Sequence, residues 1–183
     1  MTDTAEGTAL VHDFWFGEIG SDRWWVRSAD TDAAIVERFA ALWEEWRSHT
    51  PESFLGSARE AVAGVILFDQ FPRNMFRGHA DAFSTDPLAL AIARGALDRG
   101  LDKAMSEDEL SFLYMPLQHS ESMADQERSL ILFTALGNAN SLDFARKHHD
   151  MIARYGRFPA RNAALGRADR PGEDVAIALS RGW

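Results

Sequence analysis

The chain has 183 residues, a length typical of one domain, and we expect residues 1–183 to form a single domain. Hydrophobic residues make up 46% and charged residues 26%, the balance of an ordinary globular protein. The chain has no cysteine, which excludes disulfides, thiolate nucleophiles and cysteine-based metal sites. Its net charge of −9 argues against nucleic-acid binding, because a phosphate backbone requires a basic surface.

Nothing in the sequence indicates a membrane protein. The first residues lack the basic and apolar regions of a signal peptide. The longest apolar run, Ala61–Phe68, is far shorter than the roughly 20 residues of a spanning helix. We therefore expect a soluble, cytoplasmic protein that does not bind membranes.

The first half of the chain shows three helix signals. The predicted starts are a cap at Asp30 or Thr31, a capping box at Ser57 and Glu60, and Asp86 followed by Pro87. The apolar face of the first helix contains Ile35, Phe39, Leu42, Trp43 and Trp46. The second helix runs to about Asp69, and Gly100 is a plausible end for the third.

The second half continues the pattern. The predicted helices begin at the Ser106–Glu109 capping box, extend from Gln126 to Leu136, begin at a cap on Ser141, and extend from Glu173 to Leu179. Pro116 is expected to end the first of these, and Gly156 to end the third. Tryptophans at Trp15, Trp24, Trp25, Trp43 and Trp46 predict a large aromatic core in the N-terminal part.

The fold class follows from the type and length of these elements. No alternating β-branched run bounded by turns is present, so no sheet is predicted. Helices of 10 to 18 residues joined by short turns favour an all-α fold of stacked antiparallel helix pairs. A clean 34-residue period is absent, so such an array would be a degenerate helical repeat.

One motif occurs twice. "FDQFPRNMFRG" at Phe68–Gly78 is followed by "YGRFPARNAALGR" at Tyr155–Arg167. Proline disfavours helical backbone at the residue before it, so we expect Phe71 and Phe158 to leave their helices in extended conformation. Each copy would then end a helix and direct one arginine, Arg73 or Arg161, from a defined corner.

These arginines have two possible roles. Between Arg146 and Arg170 the chain has seven lysines and arginines against two aspartates, a local basic patch that suits a small anion. Arginine's planar fork recognises carboxylate or phosphate. Alternatively, the arginines hold helix-end carbonyls and buried acids within the scaffold, and Asp69 is a natural partner for Arg73.

A second candidate site lies in "LQHSES", just after a predicted helix end. His119 and Glu121 form a possible catalytic acid–base pair, since histidine titrates near neutral pH. A metal site of His119, Glu121 and His148 is conceivable, but no metal motif supports it, and neither metal nor cofactor is predicted. A nucleophile at Ser120 or Ser122 lacks the expected glycines, and Ser122 can equally be a helix cap.

Several of these segments together resemble the DUF924 family of bacterial proteins of unknown function. The matching segments are "DFWFG" at Asp13–Gly17, "RWW" at Arg23–Trp25, "FDQFPRN" at Phe68–Asn74, "FLYMPLQHSE" at Phe112–Glu121, Gln126, "KHHDMIARYGRFPARN" at Lys147–Asn162, and "LGR" at Leu165–Arg167. The resemblance implies a tetratricopeptide-like, right-handed helical array and no established activity. It departs from the family at Ala160, where a histidine is usual.

The sequence therefore leaves three functions open. The first is binding of a small anionic ligand or an acidic peptide end in an arginine-lined polar pocket. The second is an enzyme that uses His119 and Glu121 on an anionic substrate, and the third is a protein-interaction module. The predicted ligand-binding residues are Asp69, Arg73, Asn74, Gln126, His148, Arg157, Arg161, Asn162 and Arg167.

Overall fold

A computed structural model describes residues 3–179, and the predicted domain's residues 1–2 and 180–183 lie outside this part. The described residues contain helices and no strand, which confirms the all-α class. The α-helices are α1 (Thr4–His12), α2 (Ala29–Trp46), α3 (Ala58–Val65), α4 (Phe71–Met75), α5 (Asp86–Asp98), α6 (Glu107–Gln118), α7 (Met123–Leu136), α8 (Ala139–Tyr155) and α9 (Glu173–Leu179). Short 3₁₀ turns cover Pro51–Phe54, Ala80–Phe83, Leu101–Ala104 and Pro159–Arg161. None of the described helices is both long and apolar enough to span a membrane.

Contacts divide the chain into two compact units. The first contains the residues up to Arg77 together with Asp81–Pro116, and the second contains Gly78–Ala80 and the residues from Leu117 onward. The first unit holds α1 to α5 and most of α6, and the second holds α7 to α9. The prediction of a single domain stays a prediction.

The first unit has an aromatic core. Its α1 packs on α3, α3 packs on α5, and α2 packs on α4. The rings of Phe14, Phe39 and Phe71 lie 4.9–6.0 Å from one another, and Trp15 meets the edge of Phe71 at 5.6 Å. The buried tryptophans Trp15, Trp43 and Trp46 confirm the predicted core. Trp25 does not belong to it, because 62% of its surface is exposed.

The start of the chain is helical, which the sequence patterns did not indicate. After α1 the chain continues as a π-helix over Asp13–Ile19, in which the amide of Gly20 donates to the carbonyl of Trp15, five residues earlier. The indole of Trp24 also donates to that carbonyl, at 2.8 Å. The wider turn disturbs the 3.6-residue period on which helix prediction depends.

The first copy of the repeated motif corrects a prediction. Phe71 is helical, at φ −60° and ψ −40°, and not extended. A π-helix over Ile66–Gln70 precedes it, and Pro72 lies in the first turn of α4, where its missing amide hydrogen is not needed. In the second copy the prediction is confirmed, since Phe158 has φ −90° and ψ 102°.

Four other helix boundaries differ from prediction. The N-caps are Ser28 in place of Asp30 or Thr31, Thr85 in place of Asp86, and Asn138 in place of Ser141. The side chain of Asn138 accepts from the amide of Ser141 at 3.0 Å. The cap at Asn138 was missed because this residue directly follows Gly137. Pro116 does not end α6, which continues to Gln118.

The predicted capping boxes, the glycine helix ends and the last helix are confirmed. Ser57 Oγ accepts from the amide of Glu60, and Ser106 and Glu109 bond reciprocally in a capping box. Gly100 and Gly156 follow α5 and α8 with left-handed φ values of 69° and 68°. The helix Glu173–Leu179 has the predicted limits.

In the second unit, α7 and α8 pack against each other as a helical hairpin joined by Gly137 and Asn138. After α8 the chain turns at Gly156, forms the 3₁₀ turn, and reaches α9, which contacts that turn. A hairpin of this kind fits a stack of helix pairs. The tetratricopeptide-like array itself stays a prediction.

Candidate functional site

The predicted site residues fall in both units. Asp69, Arg73 and Asn74 lie in the first unit. The second unit holds the others, which are His119, Glu121, Gln126, His148, Arg157, Arg161, Asn162 and Arg167.

In the first unit, the residues of the motif bind acids of neighbouring helices. Arg73 donates to both oxygens of Asp86, at 2.8 and 3.0 Å, and lies 3.3 Å from the fully buried Asp69. Asn74 donates to Asp32 of α2 at 2.7 Å. Arg77 also binds Asp32, at 2.7 and 2.8 Å. These contacts join α2, α4 and α5 within the unit.

The second copy repeats this arrangement with a different acid. Asn162 Nδ2 donates to Glu173 of α9 and to Asp169, both at 2.9 Å. Arg157 binds both oxygens of Glu173, at 2.8 and 2.7 Å. In both copies, therefore, an asparagine and an arginine hold one carboxylate from another helix.

Glu173 is the most strongly bound acid of this group. Its side chain is only 1% exposed. The hydrogen bonds from Arg157, with further bonds from the amide of Arg170 and from Asn162, outweigh burial and lower the pKa of Glu173 to about 2. The segment between α8 and α9 is thus held to α9 by a carboxylate that stays ionised at neutral pH.

The carboxylate of Glu121 also has hydrogen-bond partners within the protein. Its oxygens accept from Arg167 at 2.8 and 3.0 Å, and Oε1 accepts from the amide of Phe158 at 2.8 Å. Burial acts to raise the pKa of Glu121, but Arg167, the Phe158 amide and the nearby charge of Arg161 together hold it below its ordinary value. A carboxylate with a lowered pKa is a poor proton donor near pH 7, so acid–base chemistry here would depend on histidine.

Four side chains of the second unit contact one another in series. The rings of His119 and His148 have centroids 5.8 Å apart, and His148 meets the edge of Phe158 at 5.4 Å. The guanidinium carbon of Arg161 lies over the Phe158 ring at 4.4 Å. Phe158 is buried, whereas His119, His148 and Arg161 are partly exposed. We call these four residues the His–Arg cluster.

One hydrogen bond orients the ring of His148, and two others fix the backbone on either side of His119. Nδ1 of His148 lies 2.8 Å from the carbonyl oxygen of Phe144. Because a carbonyl only accepts, Nδ1 carries the hydrogen, and Nε2 is the nitrogen that gains or loses a proton. Gln126, fully buried, donates from Nε2 to the carbonyls of Gln118 and Ser120, the residues on either side of His119.

The structure gives no support to the other predicted chemistries in this segment. Ser120 Oγ donates to Asp125 at 2.6 Å, and Ser122 is the N-cap of α7. Within residues 3–179 no three histidine, aspartate or glutamate side chains are grouped so that they could hold a metal ion.

Sequence reasoning found the arginines but missed most of their partners. Asp86 was interpreted only as a residue at a helix start, and Glu173 only as the first residue of the last predicted helix. Asp32 was not singled out at all. The aromatic support of Arg161 was also missed, although Phe158 lies three residues before it. The spacing of Phe158 and Arg161, with proline between them, is the signal that would have indicated this contact.

Comparison with known proteins identifies the family of the chain. Residues 11–179 match the family described as bacterial proteins of unknown function, DUF924. The chain belongs to this family. A similar solved structure is that of ATU0120, a protein of unknown function from Agrobacterium tumefaciens, with 38% sequence identity and a TM-score of 0.90. That match covers 97% of this chain and 100% of the other, and no curated protein matches the chain.

Proposed function

We propose that this DUF924 protein binds a small anionic ligand, or the acidic end of a peptide, at the His–Arg cluster. The contact that carries the proposal is the position of Arg161 over Phe158, since the same ring also meets His148, which in turn contacts His119. A guanidinium that rests on an aromatic face has a fixed orientation, and its edge can still donate two parallel hydrogen bonds to a carboxylate or phosphate.

The other predicted arginines bind carboxylates of the protein itself. Arg157 and Arg167 are each bound to both oxygens of a carboxylate, and Arg73 is bound in the same way in the first unit. Next to the cluster, Glu121 accepts from the amide of Phe158 and Arg167 donates to its carbonyl. These two bonds fix the backbone of the residue whose ring supports Arg161.

The histidines make the proposed site sensitive to pH. Protonation of either imidazole adds a positive charge and a second donor, so anion affinity is expected to rise as pH falls from 8 to 6. Dicarboxylates would gain most, since both carboxylates stay ionised over this range. A phosphate monoester would gain less, because it loses part of its second charge as pH approaches 6. A ligand with a single carboxylate would show a smaller change.

The test is a thermal-shift screen of the full chain against phosphorylated and carboxylated metabolites, followed by calorimetric titration. A ligand at 100 times its Kd stabilises a protein by about 2.7 kcal/mol, which for this length raises Tm by about 5–10 °C. Arg161→Ala is expected to remove the shift. Arg154→Ala is the matched control, because it removes one exposed arginine of the same unit that has no contact with the cluster.

Two results would contradict the proposal. One is a screen without any shift above 1–2 °C; the other is a ligand that binds Arg161→Ala as tightly as the natural chain. Circular dichroism of Arg161→Ala must show a folded protein for the comparison to stand. A collapsed variant would instead assign Arg161 to the scaffold.

An enzyme is the second candidate, and the fixed tautomer of His148 is the observation that favours it. With Nδ1 bound to Phe144, Nε2 of His148 is positioned to transfer a proton at neutral pH. If an anion from the screen is turned over, His119→Ala or His148→Ala should abolish turnover while binding is retained. Turnover at the natural rate in both variants would exclude this role.

A further inference from the structure

A groove lies between α8 and α9 in the second unit, and no residue of the His–Arg cluster lines it. It has a volume of about 200 Å³ and is open to solvent. Met151 and Ala176 form its buried floor, with 8% and 1% of their surfaces exposed. Tyr155 of α8 also lines it.

The α9 side of the groove is apolar and exposed. Val175 and Leu179 line it with 52% and 67% of their surfaces accessible. Large aliphatic side chains one helical turn apart form a continuous apolar edge. Such an edge, beside a buried apolar floor, offers contact area to a bulky apolar side chain of a partner.

The α8 side of the groove has a defined charge pattern. Lys147, Asp150 and Arg154 lie along it in the order basic, acidic, basic. Lys147 pairs with Asp143 on the exposed surface at 2.7 Å, a contact that contributes little and exchanges easily. Arg154 rests on the ring of Tyr155 at 5.2 Å, and among the described residues it has no carboxylate partner.

We infer that this groove binds an acidic amphipathic segment of another protein. A bulky apolar residue of the segment occupies the floor between Met151 and Ala176, and an acidic residue pairs with Arg154. A second acid, about 10 Å away along the axis of α8, meets Lys147, since seven helical residues rise by that distance. Asp150, between the two, disfavours a third acid in the middle of the segment. The inference does not depend on the anion site.

The experiment is selection of random 12-residue peptides on the full chain, followed by fluorescence polarisation of the recovered sequences. We expect the recovered peptides to contain Leu, Ile or Phe flanked by Asp or Glu. Leu179→Asp and Arg154→Glu should each weaken binding at least tenfold. Arg161→Ala should leave it unchanged, which separates this inference from the anion proposal.

Several outcomes would overturn the inference. Peptides that lack acidic residues, peptides that bind Leu179→Asp equally well, or no enriched sequence at all would each do so. Self-association of the chain that Leu179→Asp abolishes would show that the groove is covered by a second copy. Binding seen only in Trp183→Ala would assign the groove to the chain's own C-terminal residues. Val175→Asp serves as a second variant if Leu179→Asp does not fold.

Discussion

Asn162 is the residue on which the repeated motif depends most in the second unit, and its replacement tests the structural interpretation. It is 1% exposed, donates to Asp169 and Glu173, and accepts from Arg167 Nε at 3.1 Å. A hydrogen bond to a charged group contributes about 1.5–3 kcal/mol. Three such bonds do not add fully, because Glu173 and Arg167 keep their other partners and water reaches Asp169.

We therefore expect Asn162→Ala to lower the free energy of unfolding by about 3 kcal/mol. For a chain of this length the Tm should fall by about 6–12 °C in differential scanning calorimetry. Asn140→Ala is the matched control, because Asn140 is exposed on α8 and should change Tm by no more than about 2 °C. If the two variants melt at the same temperature, the hydrogen-bond network around Asn162 does not stabilise the segment between α8 and α9.

The isosteric variant Asn162→Asp sharpens the test. It places a third carboxylate beside Asp169 and Glu173 and removes both amide donors. Like charges raise the folded-state pKa of the introduced carboxyl, so its protonated form is the one compatible with folding, and stability is lost as pH rises. Asn162→Asp should be less stable than Asn162→Ala at pH 7, and the difference should shrink towards pH 4.

Two further predictions concern other parts of the chain. A Cβ at Gly7 would lie 2.2 Å from an atom of the fully buried Trp46. We therefore expect Gly7→Ala to lower the free energy of unfolding of the first unit by about 1–3 kcal/mol, measured by urea unfolding. Gly17→Ala is the control and should not change this free energy, because a Cβ at Gly17 would have no atom within 4 Å. The folded-state pKa of Glu173 is lowered to about 2 by Arg157, so its contribution to stability is complete above pH 4.5 and is lost as pH falls towards 2. The difference in unfolding free energy between the natural chain and Glu173→Gln should therefore narrow over that range, and a difference that stays constant would contradict the assignment.

The repeated motif shows how far local sequence reasoning reaches. The extended backbone of Phe158 was predictable, because proline restricts the residue before it whatever its surroundings. The helical backbone of Phe71 was not, because the π-turn before Pro72 depends on how Phe68 and Phe71 pack into the aromatic core. The preference of the residue before proline for extended backbone is overcome when the burial of its large apolar side chain gains more free energy.

The sequence by itself determined the helical class, the capping boxes at Ser57 and Ser106, and the extended backbone at Phe158. These features depend on residues within a few positions of each other, where spacing fixes geometry. Only the tertiary structure decided which carboxylate each arginine binds. Arg73 meets Asp86 thirteen residues away, and Arg167 meets Glu121 forty-six residues away. Pairs this distant in sequence are selected by the packing of whole helices, which no local spacing encodes.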